Sequence, residues 1–387
     1  MKESYFFSQT HQPFFVLAFV NAIVTMLLFM LSFKGILTLT ITPSSFHAYS
    51  LIFFVFTPAF LAFLFTTFPR FSGMPAIEKA LYLKVFGLFA IGTILLLIGA
   101  VVSLLVYKLG MLVLFVGHAW AIKILMDIFR SSGTRDKHDT FWILLAMGFG
   151  LLSHLLFVAA EFTGLPLYNL PVQVGIYLYL FLVAFSVAQR MVPLFSHCNV
   201  VKNTSFLKVV LLLLILHVIL EALHPHLSFI ADFILAYITA KELFRWNLPF
   251  PNPNPLLWIL HLSLYWVPVA FLFGGMSNVV SLINGTPFLF LDIHTLMLGF
   301  VFTILIGFGT RVTIGHSGNI MQADRWVILL FNWTQLVVVL RLLTSMASAW
   351  GWNFMILFDI SVTVWLILFI LWAVRFFPLL IKGKKLP

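Results

Sequence analysis

Two histidines, His47 and His294, each stand near the start of a membrane-length apolar run, and chemistry is to be sought there first. Two neutral imidazoles offered from different helices at similar depth can hold a haem iron in a bundle. Arg341, near the end of another apolar run, would pair with a haem propionate by a charge-assisted fork. Asp292 would accept a histidine N–H and so fix its tautomer. The competing reading makes both histidines caps at interfacial helix starts.

A second set lies in His217-Val-Ile-Leu-Glu221-Ala-Leu-His224. Positions 217, 221 and 224 share one helical face, and imidazole with carboxylate suits copper, zinc or iron. His154, followed seven residues on by Glu161, offers a similar face, and His118 sits in the middle of its own apolar run. Copper, if held, is expected on His154, His217 or His118, with Glu221 beside them. The alternative is an interfacial end where polar side chains reach water. A third set comprises His261, Arg190, Arg311 and His316, the last flanked by Gly315 and Gly318. Glycines there allow the close backbone approach of a loop folded over a ligand. The set reads as a second cofactor position or a docking loop, or else as ordinary basic anchors of membrane topology.

The elements that must position these residues follow from composition. The chain is 62% hydrophobic and 9% charged, with a mean hydropathy of +1.10, which places it in a bilayer and leaves no long polar segment for a soluble domain. The net charge of +10 is spread over short loops and gives no nucleic-acid signal. The lone Cys198 excludes an internal disulfide and a cysteine-based metal site. The apolar run from Phe14 to Phe33 lacks a convincing small-residue cleavage site and reads as a retained helix.

Since a bilayer offers no partner to unpaired backbone groups, the spans must be helical. The pattern predicts an all-α, polytopic transmembrane bundle, one integral membrane domain over 1–387, with twelve spans. They run about 14–33, 47–68, 81–106, 109–129, 141–161, 168–190, 206–222, 226–246, 255–275, 291–312, 325–347 and 354–376. With the N-terminus inside, all but three of the 22 Lys and Arg, Lys2 and Lys385 included, fall on the inward side. Lys34, Lys108 and Arg341 are the exceptions. The positive-inside rule therefore predicts both termini in the cytoplasm. It also sorts the polar residues into an outer layer holding His47, His154, His217 and His294 and an inner layer holding His261, Arg311 and His316.

Five ordered blocks, spread from residue 12 to residue 319, resemble the NnrS family. Leu291–Asn319 matches its H-x-x-x-x-G and T-R-V-x-x-G-H-T-G-R pattern at His294, Gly299, Thr310, Arg311, Val312, Gly315, His316 and Gly318, with Ser317 and Asn319 replacing Thr and Arg. HQPFFVLA resembles its R-P-F-F-L-L-A. FHAYS and the following residues through TFPRF resemble W-H-A-H-E-M and its continuation, matching His47, Ala48, Phe53, Phe63, Thr66 and Pro69. RMVPLFSHCN matches Arg190, Pro193, Phe195 and Asn199, and NPLLWILHLSLYWVP brings in His261 and Trp266. Where the family has a second histidine and a glutamate, this chain has Tyr49 and Ser50.

The resemblance implies a bacterial inner-membrane protein containing haem b and copper, linked to nitric oxide and nitrosative stress, served by an unidentified electron donor. It carries over His47, His261, His294 and His316, and the loss at Tyr49 and Ser50 favours haem over a multi-ligand copper site in that region. Whether the protein is an enzyme is left open. Two other classes are weighed beside this one. A transporter for protons or a metal ion would use the outer acids and histidines, but no internal repeat of the kind common in transporters is evident. A respiratory oxidase-like electron-transfer subunit would suit histidines on helices two and ten, but the sixth predicted helix has no histidine.

Overall fold

The computed structural model describes residues 4–167, 169–384 and 386. Lys2, Lys385 and Tyr168, the first residue of the sixth predicted span, lie outside them. All regular structure among the described residues is helical. The twelve helices in chain order are α1 (His11–Phe33), α2 (Pro43–Phe71), α3 (Lys79–Val102), α4 (Leu104–Ser131), α5 (His138–Thr163), α6 (Asn169–Phe195), α7 (Phe206–Leu223), α8 (Phe229–Trp246), α9 (Pro255–Asn284), α10 (Leu291–His316), α11 (Arg325–Met346) and α12 (Phe354–Lys382). Eleven are long and apolar enough to cross a membrane. The exception is α8, which carries Asp232, Lys241, Glu242 and Arg245 in 18 residues. The chain is a multi-pass membrane protein.

Two boundary differences bear on the candidate site residues and on helix packing. Tyr107-Lys108-Leu109-Gly110 does not separate α3 from α4. The chain breaks at Ser103, whose backbone is extended (φ −158°, ψ 122°). Reversal there lets two pairs of glycines seven apart, Gly92 with Gly99 and Gly110 with Gly117, face the opposite helix. A Cβ on Gly99 would come within 2.1 Å of the Tyr107 nitrogen, and one on Gly110 within 2.7 Å of the Leu96 nitrogen. Small residues allow such close helix approach in a membrane. The second difference is that α10 continues through His316, so this histidine ends a helix and does not lie in the loop.

The chain forms two compact units. The first comprises Met1–Gly175, Val312–Ile320 and Phe369–Pro387, the second Ile176–Arg311 and Met321–Leu368. In the first, Phe14, Phe53, Phe54, Phe65 and Phe68 are fully buried. In the second, Phe300, Leu260, Leu264 and Val267 fill the centre.

An internal repeat runs through the chain with a period of four helices. Three helices, α2, α6 and α10, are 83–89% buried over their spans, against 33–50% for the other eight membrane-length helices. Each of the three contains a π-helical stretch: Ser50–Phe56, Val174–Phe181 and Thr295–Phe302. Each then ends on a serine followed by a left-handed residue: Ser72-Gly73 (φ 63°), Ser196-His197 (φ 53°) and Ser317-Gly318 (φ 70°). From the first π residue to that serine the interval is 22 residues every time (50 to 72, 174 to 196, 295 to 317). In the first two copies the helix end is closed alike: Met74 N–H donates to Pro69 O (2.8 Å) and Cys198 N–H to Pro193 O (3.0 Å), the six-to-one bond of a Schellman end. This repeat is not evident in the sequence by eye, and the helix geometry brings it out.

A π stretch displaces backbone carbonyls from their usual partners, and apolar surroundings demand replacements. Thr57 Oγ1 donates to Ile52 O and Thr303 Oγ1 to Leu298 O, both at 2.8 Å, while Asn21 Nδ2 donates to Phe54 O at 2.7 Å.

Candidate functional site

In the first unit α2, α4 and α5 bring His118, His154, Tyr49 and Tyr107 together, none more than 1% exposed. Tyr49 Oη and His154 Nε2 share a 2.8 Å hydrogen bond. His118 Nδ1 lies 3.4 Å from His154 Nδ1. The His154 ring stacks on Phe53 (centroids 4.0 Å, 18°), with Phe115 and Phe157 nearby. Tyr107 Oη is buried with no hydrogen-bond partner. Two imidazole nitrogens thus converge among aromatic side chains. His47, one turn into α2, is half-buried and stacks on Phe29 (4.2 Å, 30°). At the other ends of these helices His316 Nδ1 donates to Val312 O (3.0 Å), leaving Nε2 to accept from Arg70 Nη2 (3.3 Å).

In the second unit His294 Nδ1 lies 2.8 Å from the carbonyl of Phe290, a residue held at φ 55° just before α10. A carbonyl only accepts, so this contact calls for Nδ1–H, whereas the donor-only Arg341 guanidinium beside the same nitrogen calls for its lone pair. Arg341 Nη2 sits 3.2 Å from the same ring nitrogen, and its Nη1 donates to Ser345 Oγ (2.6 Å). No described carboxylate forms an ion pair with this half-buried guanidinium. A cation with no carboxylate partner among the described residues, beside an imidazole, fits the donor set a haem and its propionate require.

His217 is bound elsewhere than the sequence pattern suggested. Its Nδ1–H donates to Asp232 Oδ1 on α8 at 2.7 Å, both side chains being buried, and its ring packs on Tyr177 (4.0 Å). Tyr177 Oη donates to Asp292 Oδ2 (2.9 Å). Asn278 Nδ2 donates to Ser228 Oγ (2.9 Å) and more weakly to Asp232 Oδ2 (3.4 Å). Glu221 accepts from the backbone N–H of His226 (3.1 Å). Asp292 therefore serves Tyr177 and does not orient His294. His261 has both nitrogens engaged: Nδ1 donates to Pro249 O (3.2 Å) and Nε2 accepts from Ser196 Oγ (2.6 Å). Arg311 covers the face of Phe195 at 4.3 Å.

Among the described residues no cluster of three or more His, Cys, Asp or Glu side chains is arranged to hold a metal ion. The copper candidates divide accordingly. His118 and His154 meet, whereas His217 and Glu221 belong to the α7–α8 polar network. Sequence reasoning missed Asp232 as the partner of His217, although the two flank the tight α7–α8 turn at nearly equal distance. It also missed Tyr107, whose hydroxyl gives no signal in an apolar run.

The buried His217–Asp232 pair makes a sharp stability prediction. Removing one member of a buried pair strands the other, at a cost of about 3–5 kcal/mol, whereas replacing both with apolar residues costs far less. Asp232→Leu is expected to destabilise the protein in that range, and His217→Leu with Asp232→Leu to restore most of it, read as a double-mutant cycle in denaturant unfolding. Additive losses would show that the pair carries no coupling.

The family model for NnrS protein matches residues 5–384. No curated protein matches the chain.

Proposed function

Because the chain belongs to the NnrS family, we propose that it is a haem-containing membrane protein of nitric oxide metabolism or nitrosative-stress protection. It handles nitric oxide or its iron complexes, sits in the bacterial inner membrane and has both termini in the cytoplasm. The observation that carries the haem is the His294–Phe290–Arg341 arrangement. Nδ1 faces Phe290 O and Arg341, Nε2 is the ligand atom assigned to iron, and Arg341 is the partner for a propionate. Haem b is the form that needs no cysteine attachment. Bound there, a haem supplies one-electron chemistry and, where an axial position opens, a seat for nitric oxide.

His118 and His154 are the copper ligands in this proposal. Their facing Nδ1 atoms and the absence of acids suit copper(I) better than a harder ion, and Tyr49 accepts or donates at His154 Nε2 to set its tautomer. His217 and Glu221, tied into the α8 network, stay outside that site. His261, His316 and Arg311 lie outside the haem as well, since Ser196, Pro249, Arg70 and Phe195 already engage them. An electron donor is needed for turnover of any kind.

A purified sample, oxidised and dithionite-reduced, is expected to show a Soret band with sharp reduced bands, together with stoichiometric iron. His118→Leu and His154→Leu are each expected to remove copper while leaving iron in place, by elemental analysis of the same samples. A colourless, iron-free protein overturns the haem reading. The second reading, a proton-coupled transporter, then leads on one observation: buried His217, Asp232 and Tyr177 and half-buried Asp292 lie in succession in the second unit, joined by two hydrogen bonds and a ring contact, and ionisable groups inside a membrane mark proton relays.

A further inference from the structure

We propose that the first unit binds a small oxyanion of the phosphate class at a cluster formed by His11, Arg70 and His316. The inference is independent of the haem reading. Three separate helix ends supply it: the start of α1, the end of α2 and the end of α10. The His11 ring lies 5.0 Å from the His316 ring, and Arg70 Nη2 reaches His316 Nε2 at 3.3 Å.

Charge and hydrogen bonding at the cluster are both left unbalanced. Arg70 has no carboxylate partner among the described residues. His11 is only 2% exposed, yet its Nδ1 has no hydrogen-bond partner. A buried nitrogen of that kind is costly unless something outside the chain satisfies it. The start of α1 adds to the same sign, because Thr10 provides no side-chain cap there and an uncapped N-terminus favours anions. The Thr10 hydroxyl turns instead to Thr66 Oγ1 (2.9 Å).

The neighbouring tail deepens the imbalance. Leu386 N–H donates to Asn319 Oδ1 (3.0 Å), which draws the segment carrying Lys384 toward the loop after His316. No acid enters from α1, α2, the end of α10 or this tail among the described residues. A metal cation is disfavoured, because the Arg70 guanidinium faces the His316 nitrogen that would bind it. An anion meets the opposite situation: guanidinium N–H groups in a fixed fork, and an imidazole able to present Nδ1–H. Phosphate oxygens are the natural match to such donors. They come from a free ion or from a phospholipid headgroup, and the chemistry of recognition is shared.

The test uses the full chain, purified in phosphate-free detergent. Inorganic phosphate is titrated at constant ionic strength, following thermal unfolding, and retained lipid is read by native mass spectrometry. Saturable stabilisation by phosphate, with at least ~10-fold weaker binding in Arg70→Gln and in His11→Phe and partial recovery in Arg70→Lys, supports a free oxyanion. A phospholipid that the wild type retains, that phosphate displaces and that Arg70→Gln loses supports the headgroup. Arg70 is exposed, so Arg70→Gln is expected to fold, and matching unfolding temperatures without phosphate check this. If phosphate stabilises wild type and Arg70→Gln alike, or not at all, and both retain the same lipid, the site does not exist.

Discussion

A His294→Ala variant is expected to lose its reduced Soret and α bands together with its iron. The physical reason lies at two atoms. Phe290 O and Arg341 both face Nδ1, so Nε2 is the ligand atom assigned to iron, and alanine removes it. Arg341→Gln separates coordination from charge. It leaves the imidazole in place but removes the cation that would meet a propionate, so the bands persist while haem retention weakens about 10-fold or more. Difference spectra and iron analysis on detergent-purified variants check both outcomes. Full spectrum and iron in His294→Ala would remove His294 from the site. Loss in His294→Ala but not in His47→Ala would leave His294 as ligand and require a different partner.

Gly99→Leu is expected to prevent folding of the α3–α4 hairpin. The Cβ alone would lie 2.1 Å from Tyr107 N and 2.4 Å from its Cα, and backbone atoms cannot swing aside as a side-chain tip can. The cost should reach or exceed the ~3 kcal/mol upper end of ordinary overpacking. A control on the same helix isolates the cause. A Cβ on Gly87 meets nothing within 4 Å, so Gly87→Ala should be neutral or stabilising by up to ~1 kcal/mol through helix propensity. Yield of monodisperse protein and unfolding temperature distinguish the two. Equal behaviour would mean that α3 and α4 are not held at this spacing.

Much of the architecture was legible because the bilayer imposes it. Length and hydropathy located all twelve helices, and even α8 was found despite its four charged residues, since it lies between two clear turns. Boundaries were harder. Tyr107-Lys108-Leu109-Gly110 looks like a turn by composition, but Gly110 and Gly99 are there for helix contact, which a one-dimensional pattern does not display. His316 looked like a loop residue because glycines flank it, yet Gly315 is helical and only Gly318 takes the left-handed conformation.

The site was legible residue by residue and not pair by pair. Histidines advertise themselves in an apolar chain, so His118, His154, His217 and His294 were all noticed. Their partners did not stand out. Asp232 lies 15 residues beyond His217 across a hairpin, and Phe290 contributes only a carbonyl. Arg341 was readable as a cation needing an anion, and the structure adds that no described acid pairs with it. The repeat was hidden by divergence. Pro69-Arg-Phe-Ser-Gly and Pro193-Leu-Phe-Ser-His are visibly alike, but the third copy reads Ile314-Gly-His-Ser-Gly, and copies more than a hundred residues apart are not found by scanning for short periods.

Counting from the first π residue of each copy, one residue back, superposes Tyr49, Gln173 and His294. These three hold the same position in the repeat and carry different groups: phenol, amide, imidazole. The resemblance read from the sequence leads one to expect a histidine where Tyr49 stands, so the first position carries a phenol in its place, while the third carries the imidazole of His294. The scaffold therefore works as a transposition rule for protein engineering. A side chain that functions in one copy has a defined address in the other two, and Tyr49→His or Gln173→His would ask whether a seat's chemistry belongs to its backbone or to its neighbours.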